Sequence, residues 1–468
     1  MVPKHQYLAY YGCIVHSLAL SQLEVMPKCL LLVDLHTGKI ERLEREVGED
    51  HVEATLEAWV GRENCDLIKL RKHQFLIPGF IDTHAHAPQY TFLGSGLDLP
   101  LLDWLNTYTF KREADFATPE YARDSYSKVI TRFLQNGTTT AAFYGTIHRE
   151  ACEILVDIIR EKGQRALVGK VNMDANSPDY YIETTKDSLE QTRKFVASVL
   201  SEKNELVTPV ITPRFAISCS REMLSGLGKI AAEYNLPIQS HLSENKEEIA
   251  FVSELFPECK SYTEVYKRHG LLNNRTIMAH CCHLTDDEIQ LMRETGAAVA
   301  HCPNSNFALQ SGVCDVRRLL NEGIKVGLGT DIAGGSNASM LDAVRMCASA
   351  SKVCAMRHKK ALTCEPEERA ESNGNGSKKE NYEFLSIPEI IFLATLGGAQ
   401  ILGLGDKVGN FVPGKEFDAL CVDPFAEGSP FDVFPHDTEH TVLEKFLYSG
   451  DDRNLKHVYV RGRRVAGF

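Results

Sequence analysis

Residues 78–86 read PGFIDTHAH, an apolar β-type run that ends with His84 and His86. Side chains two residues apart on a strand point to the same side. The two imidazoles are therefore predicted to lie side by side at the end of a strand, where together they can bind one metal ion. Two histidines at this spacing are a weak signal alone, so the rest of the chain must supply their partners.

Length and charge limit the possible functions. The chain has 468 residues, enough for one large domain or about two to three ordinary ones. Its formal net charge of −12 argues against nucleic-acid binding, because proteins that grip the phosphate backbone carry a basic surface. No apolar run reaches the roughly 18 residues of a membrane span, and no secretory signal is recognisable. We therefore expect no membrane association.

The 14 cysteines are scattered and contain no Cys-x-x-Cys pair. Reduced thiols in a cytoplasmic protein are the expectation, since disulfide frameworks belong to small secreted domains. A zinc site built from cysteines is also disfavoured, because Cys281 and Cys282 are adjacent and not spaced for one tetrahedral site.

The two ends of the chain share one pattern. Residues 1–76 and 401–468 contain short apolar runs broken by turns, for example at 29–34 and 457–460, which is typical of β-hairpins. We expect both ends to join in one discontinuous β-rich domain.

The middle, residues 77–400, alternates short β-type runs with helical patterns such as 121–135, 188–200 and 247–255. Eight candidate strands end near His84, Phe143, Val171, Thr212, His241, His280, His301 and Asp331. Eight βα repeats over this length fit a TIM (β/α)8 barrel. A doubly wound open sheet is the alternative, although no glycine-rich dinucleotide turn follows the first strand. The polar, Gly/Asn/Ser-rich segment at about 365–383 is predicted to be a flexible insertion.

Four of the proposed strands end in histidine and the last ends in aspartate. Active sites of TIM barrels lie at this end of the strands, so a shared metal centre is expected. Histidines 84, 86 and 241 with Asp331 would supply three imidazoles and one carboxylate, leaving a position for water. Nitrogen and oxygen ligands of this kind suit zinc best and iron second.

Hydrolysis at such a centre also needs a proton carrier. Glu244, three residues after His241, is the leading candidate. Glu247 and Glu248 are interpreted as ordinary acids at a helix N-terminus.

Three further strand-end residues have candidate roles. Asp331 can take a proton as well as contact the metal. His280 is expected to donate a hydrogen bond to the attacking oxygen or the substrate. His301 either supports the ligands or packs near the rim.

The chain resembles the amidohydrolase superfamily, and within it the members that deaminate guanine. The superfamily resemblance rests on PGFIDTHAH at 78–86, HLSE at 241–244, His280 and GTD at 329–331. The narrower one rests on stretches such as DLPLLDWL at 98–105, TPRF at 212–215, HCPNSN at 301–306 and KFLYSGDDRN at 445–454. Together these motifs span nearly the whole chain.

The resemblance implies a TIM barrel with a small β-sandwich from both ends, one zinc ion per subunit and a homodimer. The implied zinc ligands are His84, His86, His241 and Asp331. The implied catalytic residues are Glu244, Asp331 and His280. The implied substrate contacts are His86, Gln89, Arg214, Phe215, His241, Glu244 and Asp331.

The implied reaction is attack of zinc-bound hydroxide on C2 of guanine, with Glu244 and Asp331 shuttling protons. The side chains suit this substrate, because the Arg214 guanidinium can donate to the O6 and N7 acceptors. Gln89 can both donate and accept, and Phe215 can pack on the ring. The 98–105 stretch would either form helix core or close the site from water.

Several competing functions are possible for such a chain. Another mononuclear hydrolase, acting on a triazine, pterin or adenosine-type ring, is the main alternative. Two-metal relatives need a lysine at the end of the fourth strand, which residues 207–213 lack. Lys170, on the third strand, is interpreted either as structural or as an amine that supports the metal ligands. The Pro-Cys-x-x-Cys motif of the other zinc deaminases is absent.

Two further alternatives, nucleotide binding and a non-catalytic scaffold, belong to different functional classes. The GNFVPGK stretch at 409–415 has the glycine and lysine spacing of a phosphate-binding loop, but Glu416 follows it where such a loop needs Ser or Thr. Nucleotide binding is therefore rejected. A non-catalytic scaffold would be expected to have lost a ligand or Glu244, and none is missing.

Overall fold

The computed structural model describes residues 5–363 and 382–467, which form an α/β protein. Its strands, numbered in chain order, are β1 Tyr7–Ala19, β2 Gln22–Asp34, β3 Lys39–Glu44, β4 Cys65–Lys69, β5 Phe75–Pro78, β6 Phe80–His86, β7 Thr138–Tyr144, β8 Arg165–Gly169, β9 Val171–Asn172, β10 Val207–Pro209, β11 Thr212–Pro213, β12 Ile238–Leu242, β13 Thr276–His280, β14 Ala298–His301, β15 Val326–Leu328, β16 Ala419–Val422, β17 Leu455–Val460 and β18 Arg463–Ala466.

Helices separate the strands of the middle region, as the sequence pattern predicts. The longer helices of the whole protein are Val52–Val60, Pro119–Gln135, Arg149–Lys162, Thr185–Ser201, Arg221–Tyr234, Lys246–Leu255, Tyr262–Arg268, Asp286–Thr295, Met340–Thr363 and Glu439–Ser449. Shorter ones are Leu101–Trp104, Phe110–Ala114, Pro303–Ala308, Val316–Asn321, Ile387–Phe392 and Gly398–Ile401. Of the helices in the described ranges, none has the length and apolar character needed to cross a bilayer.

One sheet combines both ends of the chain. Its strand order is β18-β17-β16-β5-β1-β2-β3, with β4 paired to β1. The join is the antiparallel pair β5–β16, in which Ile77 lies opposite Leu420. This sheet thus contains strands from both terminal segments.

The strands described in the middle region form only parallel pairs, in three groups. These are β10-β8-β7-β6, β12-β13-β14-β15 and the short pair β11-β9. Backbone hydrogen bonds connect neighbouring groups: Gln239 N donates to Ile211 O at 2.9 Å, and Asp331 N donates to His84 O at 2.9 Å. The first and last strands of this region are therefore adjacent.

The eight predicted strand ends all fall in or next to a strand, with two differences. The third and fourth strands are each split into two short pieces, and Pro209 and Pro213 in the fourth cannot donate to a ladder. Asp331 lies beyond the end of β15, in a turn with a positive φ of 46°. The predicted insertion at 365–383 lies outside the described residues except for Tyr382 and Glu383.

A buried ion cluster ties the parallel region to the terminal sheet. Arg165, at the start of β8, donates from Nε to Asp418 Oδ2 at 3.0 Å and from Nη2 to Glu416 Oε2 at 2.6 Å. All three side chains are at least nine-tenths buried. Burial alone would lower the pKa of Arg165, but the two carboxylates outweigh it and raise that pKa, so the guanidinium stays charged.

Replacing Arg165 by methionine should destabilise the protein strongly. The substitution keeps much of the volume but leaves two buried carboxylates unpaired, which costs about 3–5 kcal/mol. A large drop in Tm by calorimetry is the expected result. Arg193→Met is the matched control, because the Arg193–Glu233 pair is 42% and 49% exposed and such pairs contribute at most about 1 kcal/mol. Equal Tm changes in the two variants would contradict the assignment.

Candidate active site

Four side chains from the beginning, the middle and the end of the parallel region meet at one point. Histidines 84 and 86 come from β6, His241 from β12, and Asp331 follows β15. One potential ligand atom from each lies within 4.8 Å of all the others. The alternation of a strand places both β6 imidazoles on the same side, as the HAH spacing predicts.

The arrangement fits a metal ion better than it fits direct hydrogen bonding. His84 Nε2 lies 3.1 Å from Asp331 Oδ1 yet has no hydrogen-bond partner among the described residues. The Nε2 atoms of His86 and His241 are 3.1 Å apart. His241 Nδ1 is 2.6 Å from the carbonyl oxygen of Arg214, so Nδ1 carries the proton and Nε2 keeps a free lone pair.

The electrostatics put the four groups in the states that a metal requires. Burial lowers the pKa of His84, and lowers that of His86 and His241 well below the usual value, which keeps the imidazoles neutral. Burial would raise the pKa of Asp331, but His84 and His280 outweigh it and hold that pKa far below its usual range. Neutral imidazoles and an ionised carboxylate are the ligand forms.

Glu244 lies beside this group in the loop after β12. The carboxylate is 3% exposed, its Oε1 accepts a 2.8 Å hydrogen bond from Ser311 Oγ, and its Oε2 is 3.5 Å from His280 Nε2. Burial raises the pKa of Glu244, and the charge of Asp331 adds to this, while His280 and the Ser311 hydroxyl oppose it. A carboxyl group with a raised pKa is suited to receiving and returning a proton near neutrality.

His280 is held as a donor toward the cavity. Its Nδ1 is 2.9 Å from Asn306 Oδ1, and its Nε2 is 3.8 Å from Asp331 Oδ2. Burial alone would lower the pKa of His280, but the carboxylates of Glu244 and Asp331 outweigh it and raise that pKa. The protonated ring can then donate from Nε2.

A cleft opens over these groups. The space between its walls, open solvent at its mouth included, is about 390 Å³. The lining residues are His86, Gln89, Leu101, Trp104, Leu105, Arg214, Phe215, His241, Glu244, His280, Leu309 and Asp331. The 98–105 stretch therefore contributes an apolar wall, and the substrate contacts implied by the resemblance all face one cavity.

Two other predicted residues lie away from this cavity. His301, at the end of β14, is buried, and burial lowers its pKa to about 3. Lys170 donates to Glu183 Oε2 at 2.7 Å in a separate buried cluster, in agreement with a structural role. Neither is among the residues that line the cleft.

Glu248 has a contact that the first-turn interpretation did not include. It belongs to the capping box of the Lys246–Leu255 helix, as an acid at a helix N-terminus should. It is also fully buried and accepts hydrogen bonds from Glu244 N at 2.8 Å and Tyr262 Oη at 2.9 Å. Glu248 thus fixes the backbone that carries Glu244.

Sequence reasoning missed Ser311 and Glu113. Ser311 lies in a loop after the Pro303–Ala308 helix, and no motif marks its hydroxyl as a partner of Glu244. Glu113 belongs to a short charged stretch, KREAD at 111–115, that reads as solvent-exposed, yet it is completely buried behind the cleft. The only sign of this burial in the sequence is that Glu113 lies between the apolar residues at positions 110 and 116.

Comparisons with known proteins agree with this geometry. A model of the amidohydrolase family matches residues 75–465. Guanine deaminase of Dictyostelium discoideum is 43% identical over 462 residues, covering 97% of each chain. Guanine deaminase of Mus musculus is 44% identical over 467 residues, covering 98% of this chain and 97% of its own.

A solved structure adds to the sequence comparisons. Guanine deaminase from C. acetobutylicum, determined with guanine bound in the active site, superposes with a TM-score of 0.85 at 36% identity. The superposition covers 98% of this chain and 100% of that one.

Removing one imidazole should abolish metal retention. His241→Ala leaves three ligands and is expected to lower the metal content, measured by elemental analysis after dialysis, from about one ion per chain to a small fraction. His301→Asn is the control, because His301 is a buried strand-end histidine outside the four-residue group. Equal metal loss in both variants would show that the group is wrongly assigned.

Proposed function

This chain belongs to the amidohydrolase family, and we propose that it is a zinc-dependent guanine deaminase. The reaction converts guanine and water to xanthine and ammonia. One observation carries the proposal: three of the four residues of the metal group, His86, His241 and Asp331, line the same small cleft as Arg214 and Gln89. The near full-length similarity to guanine deaminases supports the choice of substrate.

Zinc would be held by His84, His86, His241 and Asp331, the residues whose ligand atoms converge. When bound there it would lower the pKa of a water from about 15.7 to about 7, so that a nucleophile is available at neutral pH. The three imidazoles and one carboxylate suit zinc, with iron as the second choice.

Guanine would bind with its six-membered ring toward the metal group. Arg214 can donate to O6 and N7, and Gln89 can donate to or accept from the remaining edge. Phe215, whose ring centroid is 6.4 Å from that of His241, can pack on the base. Leu101, Trp104 and Leu105 would exclude water from the other side.

Proton transfer would be the task of Glu244 and its neighbours. Water attacks C2, and a carbon–oxygen bond forms while Glu244 takes the proton and passes it to ring N3. His280 donates a hydrogen bond to the attacking oxygen. The C2 hydroxyl then gives up its remaining proton, which reaches the amino nitrogen through Glu244 or Asp331. The bond from C2 to that nitrogen breaks, ammonia leaves, and the oxygen on C2 becomes a carbonyl of xanthine.

The architecture and setting extend this proposal. Residues 77–400 would form one closed (β/α)8 barrel, supported by the backbone hydrogen bond between Asp331 and His84 that joins its first and last strands. Residues 1–76 and 401–468 would form a small β-sandwich, supported by the sheet that combines them. A homodimer is proposed from the family resemblance alone, and a cytoplasmic location from the scattered cysteines.

Assays of ammonia release test the proposed activity directly. Zinc-loaded protein is incubated with guanine, adenine, cytosine or a triazine, and ammonia is measured together with the ring product. Turnover of guanine alone is expected, with loss of activity on chelation and recovery with zinc. Turnover of another ring but not of guanine would indicate a different deaminase or a chlorohydrolase. No turnover of any of the four compounds would favour a non-catalytic scaffold.

Glu244→Gln should lower kcat for guanine by about 10²–10⁴-fold, because the amide cannot accept and return a proton. Glu247→Gln is the matched control, since Glu247 lies in the first turn of the Lys246–Leu255 helix that follows the Glu244 loop and is exposed. An unchanged kcat in the Glu244 variant would remove it from the mechanism.

Ser311→Ala should move the acidic limb of kcat/KM to higher pH. Glu244 accepts a proton only when ionised, and the Ser311 hydroxyl favours the ionised form. Loss of that hydroxyl raises the pKa of Glu244, so activity is lost at a higher pH on acidification. Ser243→Ala is the control, because the Ser243 hydroxyl is buried next to Glu244 but has no hydrogen-bond partner in the described residues. An unshifted limb in Ser311→Ala would contradict this coupling.

A further inference from the structure

Glu113 connects the substrate-facing side chains from behind the cleft. Its carboxylate is 0% exposed and accepts three hydrogen bonds from side chains far apart in the sequence. The donors are Arg214 Nη1 at 2.6 Å, Tyr181 Oη at 2.8 Å and Gln89 Nε2 at 2.9 Å. Arg214 and Gln89 line the cleft, while Glu113 does not.

The contact with Gln89 selects one of two amide orientations. Gln89 Nε2 donates to Glu113, and Gln89 Oε1 accepts from the backbone N–H of Ala333 at 3.0 Å. A flipped amide would place its oxygen against the carboxylate and its NH2 group against the Ala333 N–H. Both contacts would be repulsive, so Glu113 and Ala333 together decide which polar atom of Gln89 faces the substrate at each position.

The ion pair with Glu113 fixes the orientation of the buried Arg214 guanidinium. Burial alone would lower the pKa of Arg214, but Glu113 outweighs it and raises that pKa. Since a guanidinium is planar and rigid, holding Nη1 on Glu113 sets the direction of its remaining N–H groups. The Phe110 ring, 5.3 Å from Arg214 Cζ, supports the same orientation. The pair thus presents donors, and no acceptor, to the part of the cleft that Arg214 lines.

From these contacts we propose that Glu113 is a positioning residue that sets the preference for a purine bearing an oxygen acceptor at C6. This inference rests on the proposed function, because it takes a purine base to be the ligand of the cleft. An oxo group at C6 accepts from the fixed Arg214 fork. A C6 hydrogen leaves the donors unpaired, and an unpaired buried donor is costly.

The test compares hypoxanthine with unsubstituted purine, which lacks the C6 oxygen and, with it, the hydrogen on N1. Calorimetric titration of zinc-loaded protein measures binding without depending on turnover. Wild-type protein is expected to bind hypoxanthine at least about tenfold more tightly than purine. In Glu113→Gln, where the charge is lost and one amide end now opposes a donor, the ratio should fall below about threefold. The KM for guanine should rise with a smaller change in kcat, and the metal content should stay at the wild-type level.

Glu183→Gln is the matched control. Glu183 is another largely buried carboxylate, paired with Lys170 at 2.7 Å, and it lies outside the cleft. It should lower Tm without changing the hypoxanthine-to-purine ratio. If Glu113→Gln does not fold, Tyr181→Phe removes one of the three hydrogen bonds while keeping the charge, and it should reduce the ratio by a smaller factor.

The outcomes separate the two proposals. A wild-type ratio in Glu113→Gln, with guanine turnover intact in the wild-type protein, overturns the role of Glu113 and leaves the deaminase proposal standing. An unchanged ratio in Tyr181→Phe has the same meaning when that variant must be used. No turnover of guanine by wild-type protein overturns the proposed function and this inference with it.

Discussion

The meeting of β6 with the turn after β15 is the constraint on which the candidate site depends. Asp331 N donates to His84 O, which sets the Asp331 side chain against the two β6 imidazoles. Behind them, Asp82 accepts from His84 N and Thr330 N, each at 3.1 Å. The same backbone contacts therefore join the first and last strands of the parallel region and bring the ligand atoms together. A shift of either strand by one residue would turn the ligands away from each other.

The sequence predicts the parts of this protein that follow from local periodicity. The strand ends, the major helices and the convergence of ligand types all come from apolar runs that stop at a polar residue. The alternation of a strand is enough to pair His84 with His86. Sequence also anticipates the shared β-sheet of the two termini, because both ends show the same hairpin pattern. Each of these patterns is local and extends over only a few consecutive residues.

What the sequence does not show is which polar residues become buried. Glu113 sits in a run of charges, and its environment depends on Gln89, Tyr181 and Arg214, which come from three other parts of the chain. Ser311 reaches Glu244 across a comparable separation. Such contacts depend on tertiary packing, so no period of two or of 3.6 residues encodes them. Two buried carboxylates near one cleft thus differ in chemistry: Glu113 is paired with a guanidinium, whereas Glu244 meets a hydroxyl and a histidine.

The strand order of the terminal sheet also determines how late during synthesis that sheet can be completed. Strand β5 lies near the beginning of the chain, yet its partner β16 is made near the end, with Leu76 opposite Cys421. At a synthesis rate of roughly 5–20 residues per second, the β5 edge waits on the order of tens of seconds for that partner. During this interval an apolar strand edge is open to other chains. Translation speed and nascent-chain protection should therefore influence the yield of folded protein more than the equilibrium stability of the finished sheet would suggest.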